Sequence, residues 1–225
     1  MSDLDVLVIG SGPGGYRAGI YAALRGLKAG VVERADWGGT CLNRGCVPKK
    51  DWHTTAKLVE RSRSVFAERG LTGGPLSGDL ATAWKHQRAT VRTVQDSYLH
   101  YMDRLGVRQI NGHGRLTPEG TVAVDGPDGG TYSPKHVILA TGSRPAPIPG
   151  VEPVPGRILT TDMLFDDEPP APGRVAVVGS GVIGTEMAYI LHMLGCEVCW
   201  VAGRDPLGRS NFTPQARGAL KKRLE

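Results

Sequence analysis

Cysteines are scarce in this sequence, as are aromatic residues and long apolar runs. Four cysteines in 225 residues are too few for a disulfide scaffold, and they fit an intracellular protein with one redox pair better. No apolar stretch approaches the ~20 residues that a membrane-spanning helix needs. The N-terminal segment Met1–Asp5 carries aspartates where a secretory signal peptide is basic. We therefore expect a cytoplasmic protein that does not span a membrane.

The basic residues are too scattered to indicate a nucleic-acid site. The formal net charge is +5, and lysines and arginines are spread along helical stretches and the final Lys221-Lys222-Arg223. Aromatic residues are not interleaved with them, as they are on many nucleic-acid-binding surfaces. A solvated basic surface explains this pattern better than nucleic-acid binding.

Two of the cysteines, Cys41 and Cys46, lie in a segment rich in glycine and followed by proline and two lysines. In a regular helix, residues at this spacing are too distant for a disulfide, which needs Cα atoms within about 7 Å. Glycines before Cys41 and at Gly45 loosen the backbone, and Pro48 cannot donate a helical hydrogen bond. The segment therefore predicts a Cys41–Cys46 disulfide that stores an electron pair, rather than two buried thiols.

The N-terminal region has the pattern of a dinucleotide-binding βαβ unit. The apolar run 4–9 is followed by the glycine-rich segment 10–15, a helical stretch 16–27 and a strand 30–33 that ends in Glu33. The glycines let the backbone approach a pyrophosphate, and the N terminus of the helix favours its negative charge. Glu33 can accept hydrogen bonds from a ribose.

The same pattern returns near the C terminus. A strand at 174–178 precedes the glycine-rich segment 179–184, a helix that continues to Leu194, and a strand at 197–201. Two such units in one chain predict two different dinucleotides, which is far more specific than either unit alone.

The region between the two units is predicted to hold helices and a small sheet. Helices are expected at 49–69 and 80–105, and a buried strand at 137–140. Even spacing and Asp-Gly turns predict a small antiparallel meander from four short strands, at 108–110, 114–116, 121–124 and Tyr132. Proline-rich connectors place the domain boundary near 150–157.

Together, these motifs resemble those of the flavin-dependent pyridine nucleotide–disulfide oxidoreductases, the family that includes dihydrolipoamide dehydrogenase, glutathione reductase and mercuric reductase. The resemblance rests on Gly10–Tyr16, the cysteine segment, Ala140–Pro145 and Gly179–Glu186. It implies an α/β fold of two Rossmann-like dinucleotide-binding domains. Residues 1–156 would form an FAD domain with the redox disulfide and the meander, and 157–225 an incomplete NAD(P) domain. FAD and NAD(P)H are the implied cofactors, and a homodimer is implied for the full-length protein.

The resemblance also implies roles for individual residues. Cys46 would be the thiol beside the flavin, and Cys41 the interchange thiol that attacks the substrate disulfide. Lys49 or Lys50 would pair with Glu186 near the flavin N5; alternatively, Glu186 lies on a helix surface. The implied FAD-binding residues are Gly10, Gly12, Pro13, Gly14, Gly15, Glu33, Arg34, Gly39, Thr40, Lys50, His113, Gly114, Ala140, Thr141 and Gly142. Those for the nicotinamide nucleotide are Gly179, Gly181, Val182, Ile183, Gly184, Arg204 and Arg209.

The motifs favour a small-molecule or protein-bound dithiol of the dihydrolipoyl type as substrate. Segment 13–16 is similar to dihydrolipoamide dehydrogenase, and Pro13 and Ile20 replace the Ser and Arg that contribute to the glutathione site of glutathione reductases. Segments 48–50 and 186–188 are instead similar to glutathione reductase. The alternatives are therefore a glutathione-reductase-like or mercuric-reductase-like enzyme, or a non-catalytic flavin-binding fragment.

The choice between NAD and NADP stays open. NAD-preferring proteins end the second strand of the unit with a carboxylate that binds the ribose hydroxyls. Here the strand ends without one, and Arg204 and Arg209 follow. These arginines either receive the 2′-phosphate of NADP or are ordinary loop residues.

Two further features limit the prediction. Cys196 and Cys199 form a C-x-x-C pattern, but strand geometry points their side chains to opposite faces and no partner pair is available, so we expect no metal site. The family's C-terminal interface domain, with its acid–base His–Glu pair, and its third FAD segment are missing from the sequence. We expect the chain to be part of a longer polypeptide.

Overall fold

The computed structural model describes residues 4–167, 169, 173–203, 207–208 and 211–224. The chain forms two compact units: Met1–Lys49 with Arg88–Asp167, and Lys50–Gln87 with Glu168–Glu225. The domain boundary at 156/157 stays a prediction, because compact units defined by contacts need not coincide with the domains of a sequence.

The described helices and strands alternate along much of the chain, as expected of an α/β protein. The helices are α1 (Pro13–Leu24), α2 (Gly39–Asn43), α3 (Cys46–Ser64), α4 (Leu80–Arg104), α5 (Thr161–Asp166), α6 (Val182–Met193) and α7 (Pro214–Leu224), with a 3-10 turn at Ala67–Arg69. The strands are β1 (Val6–Ile9), β2 (Ala29–Glu33), β3 (Arg108–Asn111), β4 (His113–Leu116), β5 (Val122–Asp125), β6 (Gly130–Tyr132), β7 (His136–Leu139), β8 (Arg174–Val178) and β9 (Glu197–Val201).

The first unit is built on a parallel sheet with the strand order β3-β2-β1-β7. Its central strand β1 has the sequence Val-Leu-Val-Ile and is buried along its whole length, because a strand covered on both faces needs apolar residues on both. Val6 and Val8 pack with residues of α1 and α4 on one face. Leu7 and Ile9 pack against residues of the small β-sheet on the other. This Rossmann-like unit confirms the predicted α/β fold class.

One strand assignment made from the sequence is wrong. We expected 108–110 to belong to the antiparallel meander, but β3 pairs in parallel with β2, in the register Gly30 to Arg108. The meander consists of β4, β5 and β6. Gly112 allows this change of sheet, because a Cβ there would lie 2.5 Å from the Val124 side chain. The chain can therefore turn tightly against β5 directly after β3.

The burial predicted for 137–140 is also wrong. In β7, Ile138 is 39% exposed and Leu139 is 62% exposed. Within the described part of the chain, β7 is an edge strand whose single neighbour is β1. An apolar run therefore predicted the strand correctly but not its position in the sheet.

The second unit contains the second βαβ motif, as predicted. Strands β8 and β9 pair in parallel, with Arg174 opposite Glu197, and α6 connects them. Cys196 is buried and Cys199 is exposed, in line with the expected opposite faces. No helix in the described ranges is both long and apolar enough to cross a membrane.

Candidate redox and dinucleotide site

Cys41 and Cys46 form a disulfide, with their Cα atoms 4.7 Å apart. This confirms the predicted bond, and the reason is the one expected: the helix is interrupted. Helix α2 ends before Arg44, whose φ of −133° is not helical, and α3 begins at Cys46. Gly45 fits tightly in the interruption, because a Cβ there would lie 3.1 Å from the Thr40 carbonyl oxygen.

Cys46 is the first residue of α3 and is exposed to solvent. Helical hydrogen bonding of α3 begins directly before it, since the Lys49 N–H donates to the Gly45 carbonyl at 3.0 Å. Pro48 lies in the first turn, where its missing N–H leaves no helical bond unmade. The positive end of the helix dipole therefore lies at Cys46 and favours a thiolate there when the disulfide is reduced.

The first glycine loop, Gly10–Gly15, connects β1 to α1 through very close backbone contacts. Gly10 has a φ of +101°, and a Cβ there would lie 2.3 Å from the Ala140 carbonyl oxygen. A Cβ on Gly15 would lie 1.8 Å from the Gly10 carbonyl oxygen. These two positions admit only glycine, which explains two of the glycines of the motif by packing alone.

Gly12 differs from these two glycines. Among the described residues, no atom lies within 4 Å of a Cβ built on Gly12, and no side chain caps the N terminus of α1. Open space beside an uncapped helix N terminus matches what a pyrophosphate requires. The loop therefore fits the phosphates of a dinucleotide such as FAD.

The disulfide segment begins directly beside this loop. A Cβ on Gly39, the first residue of α2, would lie 2.8 Å from the Cα of Gly12. Gly38 has a φ of +98°, and its Cβ would lie 2.2 Å from the Leu42 side chain. The structure thus places Gly39 against the glycine loop, and the roles of Gly39 and Thr40 in binding FAD stay predictions.

Ser11 is a site residue that the sequence analysis did not identify. It is fully buried, and its N–H and hydroxyl both donate to the same carboxylate oxygen of Glu33, at 2.9 and 2.7 Å. The hydroxyl also accepts a hydrogen bond from the Gly38 N–H at 2.9 Å. The other Glu33 oxygen accepts from the N–H groups of Arg34 and Ala35. The first glycine loop, through Ser11, therefore holds the Glu33 carboxylate at the end of β2.

Asn43 was also missed, although it lies between the two cysteines. Its side chain is buried and donates to the carbonyl oxygens of Trp37 and Gly39, each at 3.0 Å. Gln95 of α4 donates to the same Trp37 carbonyl at 2.7 Å. A polar residue at a position that packs inward on a short helix is the signal that could have identified it.

Of the other predicted FAD residues, Pro13 and Gly14 begin α1 and Lys50 lies in α3, whereas the rest follow a strand or lie on the small sheet. Ala140 follows β7, and its N–H donates to the Ile9 carbonyl at 2.9 Å. A Cβ on Gly114 would lie 3.1 Å from the Val32 side chain, so Gly114 lets β4 approach β2. Thr141, Gly142 and His113 are exposed, and their role in binding stays a prediction.

The second glycine loop, in the second unit, repeats the geometry of the first. A Cβ on Gly184 would lie 2.4 Å from the Gly179 carbonyl oxygen, whereas one on Gly181 would meet no described atom within 4 Å. Val182 and Ile183 are exposed at the N terminus of α6. The pairing of Glu186 with Lys49 or Lys50 stays a prediction. Arg204 and Arg209 lie outside the described residues. Within the described ranges, no cluster of three or more His, Cys, Asp or Glu side chains could hold a metal ion.

Comparison with known proteins agrees with this geometry. The family model described as "Pyridine nucleotide-disulphide oxidoreductase" matches residues 4–225. The dihydrolipoyl dehydrogenase of Chlorobaculum tepidum is 38% identical over 88% of this chain and 42% of its own length. Dihydrolipoyl dehydrogenase 3 of Pseudomonas aeruginosa is 39% identical over 88% of this chain and 43% of its own length. The human mitochondrial dihydrolipoyl dehydrogenase is 33% identical over 87% of this chain and 39% of its own length.

A solved structure agrees as well. The crystal structure of LpdA from Mycobacterium tuberculosis superposes with a TM-score of 0.76 at 27% identity, and the match covers 90% of this chain and 45% of that one. The chain thus spans less than half the length of each of these relatives. Because the family model matches nearly the whole chain, the chain belongs to the pyridine nucleotide-disulphide oxidoreductase family.

Proposed function

We propose that this chain is the electron-relay part of a flavoprotein that transfers two electrons between a nicotinamide nucleotide and a dithiol or disulfide substrate. The observation that carries the proposal is the Cys41–Cys46 disulfide, held between α2 and α3 with Gly39 against the loop residue Gly12. A reducible bond beside a dinucleotide loop is the arrangement that such a relay needs.

The two cysteines have different tasks in this proposal. Cys46, at the N terminus of α3, holds the thiolate beside the flavin, where the helix dipole favours negative charge. Cys41 exchanges with the substrate: its sulfur forms a mixed disulfide, which the second substrate sulfur or Cys46 then resolves. In this half-reaction the substrate dithiol loses two electrons and two protons and its sulfurs join, while the Cys41–Cys46 bond opens to two thiols.

FAD is the proposed cofactor of the first glycine loop, and NAD(P)H that of the second. Support comes from the open space at Gly12 and at Gly181, each at the uncapped N terminus of a helix among the described residues. Bound flavin would supply the two-electron chemistry that connects the disulfide to the nicotinamide. Glu33, held by Ser11 at the end of β2, would accept the ribose hydroxyls of FAD.

A dihydrolipoyl group is the favoured substrate. The names of the relatives support this choice over glutathione, since each of those described above as an enzyme is a dihydrolipoyl dehydrogenase. The glutathione-reductase-like residues Pro48-Lys49-Lys50 keep oxidised glutathione as the competing substrate to be tested.

The test is reduction of the FAD-loaded chain by dihydrolipoamide without oxygen. We expect a long-wavelength absorbance band from a thiolate beside oxidised flavin, present in the wild type and in Cys41→Ser and absent in Cys46→Ser. Cys199→Ser, which removes an exposed thiol of the second unit, is the matched control and should behave as the wild type. Survival of the band in Cys46→Ser would reject the role of Cys46, and no reduction of the wild-type disulfide would reject the relay.

Two comparisons define the partners more closely. Reduction by NADH against NADPH identifies the nucleotide, and dihydrolipoamide against glutathione identifies the substrate. We also propose that Glu186 pairs with Lys49 or Lys50, so that Glu186→Gln should slow reduction by the nucleotide more than reduction by dithiol. We also propose a cytoplasmic homodimer, to be tested by light scattering and by cell fractionation.

A further inference from the structure

Arg44 lies between the two cysteines, and its side chain is anchored by carboxylates from two other segments. Its Nε donates to the Asp166 carboxylate, and one of its terminal nitrogens donates to the Asp36 carboxylate. Asp36 precedes α2, whereas Asp166 ends α5, 122 residues after Arg44. The guanidinium therefore joins the redox segment to a helix from a remote part of the same unit.

Arg44 and Gly45 also set the distance between the cysteines. They are the two residues between α2 and α3, so rotation about their backbone bonds is what moves Cys46 relative to Cys41. The Arg44 N–H donates to the Thr40 carbonyl at 2.8 Å, and Gly45 lies against the Thr40–Cys41 backbone. An anchored Arg44 side chain restricts the rotation that would separate the two sulfur atoms once the bond between them opens.

The positive charge of Arg44 is paired with carboxylates rather than with the sulfur atoms. Burial disfavours the charged guanidinium, but Asp166 and Asp36 outweigh that effect and raise the pKa of Arg44. A third carboxylate, Asp162, lies near: burial raises its pKa, and Arg44 partly offsets that rise. Arg44 is thus surrounded by carboxylates that outnumber it, and such a cluster stabilises thiolates poorly. Its ion pairs can instead act as a tether that holds the segment in place.

From these contacts we propose that Arg44 is a positioning residue, whose ion pairs with Asp36 and Asp166 keep Cys41 and Cys46 close after reduction and thereby stabilise the disulfide. The inference rests on the proposed function only in taking this disulfide as the one that cycles. In the reaction with a small dithiol, the reagent gives two electrons and two protons, its own sulfurs join, and the Cys41–Cys46 bond opens to two thiols. The closer the two thiols are held, the more the exchange equilibrium with the small dithiol favours the Cys41–Cys46 disulfide.

A tether and a charge effect predict opposite results for one substitution. If Arg44 acts as a tether, Arg44→Met and Asp166→Asn both loosen the thiols and both favour the dithiol. If Arg44 acts through its charge, losing the cation disfavours thiolates and favours the disulfide, whereas losing the Asp166 carboxylate does the reverse. The two variants together therefore separate the two explanations.

The experiment equilibrates the 225-residue chain at pH 7 with mixtures of reduced and oxidised dithiothreitol. Quenching by alkylation and mass spectrometry then give the fraction of Cys41–Cys46 disulfide. We expect Arg44→Met and Asp166→Asn each to shift the equilibrium about tenfold toward the dithiol, which corresponds to about 30 mV. Arg44→Lys should shift it less, because an ammonium keeps the charge but not the fork that binds two carboxylates. Arg63→Met, at an exposed position of the same helix as Cys46, should not shift it.

An unchanged or more stable disulfide in Arg44→Met would overturn the inference, as would opposite shifts in Arg44→Met and Asp166→Asn. Circular dichroism identifies variants that fail to fold. If Arg44→Met is one of them, Arg44→Lys decides the question because it keeps the positive charge: a shift toward the dithiol supports the tether, and an unchanged equilibrium overturns it. The assay needs neither flavin nor nucleotide. Failure of the proposed relay would therefore leave this equilibrium measurable, and the two failures are distinguishable.

Discussion

Ser11 and Glu33 are joined by two hydrogen bonds that end on a single carboxylate oxygen, one from the backbone of Ser11 at 2.9 Å and one from its hydroxyl at 2.7 Å. Because the hydroxyl also accepts from the Gly38 N–H, one buried side chain connects the glycine loop, the end of β2 and the start of the disulfide segment. The glycine loop proposed to bind FAD and the segment that holds the disulfide therefore depend on a common residue.

Ser11→Ala tests this connection. We expect the free energy of unfolding to fall by about 1–2 kcal/mol, because the buried Gly38 N–H loses its acceptor and Glu33 loses a donor. FAD should also bind more weakly, since Glu33 is held less firmly. Urea unfolding and fluorescence titration with FAD measure the two effects. Ser97→Ala is the control: its hydroxyl donates only within its own helix, to the Thr93 carbonyl, and the change should stay within about 0.5 kcal/mol.

Gly12 and Gly15 should respond differently to the same substitution. Gly12→Ala adds a methyl group where the described residues leave at least 4 Å of space, so stability should change little while FAD affinity falls at least tenfold through contact with the pyrophosphate. Gly15→Ala places its Cβ 1.8 Å from the Gly10 carbonyl and should destabilise the unit itself. Thermal unfolding with and without FAD separates the two. Normal FAD binding by Gly12→Ala would place the phosphates elsewhere.

The free cysteines should differ strongly in reactivity toward a thiol reagent. Cys199 is exposed, whereas Cys196 is buried, and burial raises the pKa of the Cys196 thiol. In the oxidised native chain at pH 7 we expect rapid labelling of Cys199 and slow labelling of Cys196, with the Cys196 rate increasing as pH rises. Labelling in denaturant without reductant should then give two thiols, since the other two cysteines are in the disulfide. A third reactive thiol would mean that the disulfide is not fully formed.

Glu60 should make the stability of the second unit depend on acid pH. It accepts hydrogen bonds from Tyr189 of α6 at 3.1 Å and from Arg223 of α7 at 2.6 Å. Burial alone would raise the pKa of Glu60, but these partners outweigh it and hold the pKa below the ordinary 4.5. A lowered carboxyl pKa stabilises the folded state above the unfolded value, and this contribution is lost as pH falls through the folded value.

We therefore expect Glu60→Gln to lower stability by about 1 kcal/mol at pH 7. The difference from the wild type should shrink as pH is lowered from 4.5, because the wild-type carboxyl becomes protonated. Urea midpoints between pH 7 and pH 3 measure this. Glu68→Gln, at an exposed position, is the control and should show no such pH-dependent difference. A difference that is constant over this range would argue against a role for the Glu60 charge.

Much of this architecture could be predicted from sequence because the relevant signals are local. The glycine loops, the apolar strands beside them and the interrupted cysteine segment each fix backbone geometry within a few residues. The cysteine segment is an example: the disulfide forms where the helix is interrupted at Arg44 and Gly45, as expected.

The misses involve contacts between residues distant in sequence. The strand predicted at 108–110 was assigned to the wrong sheet because its partner, β2, is about 80 residues earlier, and no local pattern specifies that pairing. Ser11 and Asn43 were overlooked for a similar reason. Ser11 occupies an unspecified position of the glycine motif, and its role becomes visible only when Glu33 and Gly38 are placed beside it.

The contact between Gly10 and Ala140 has a consequence for the synthesis of the protein. Val6 pairs with Ala29 on one side and with His136 on the other, and ribosomes add residues at roughly 5–20 per second. The N-terminal βαβ unit therefore emerges on the order of ten seconds before the strand that completes its sheet. During that interval one edge of β1 has no partner strand from its own chain, and the nucleotide loop cannot close against residue 140. We expect nascent chains that end before β7 to be the species most dependent on chaperones. We also expect the proposed binding of FAD during translation to begin only after β7 has left the ribosome.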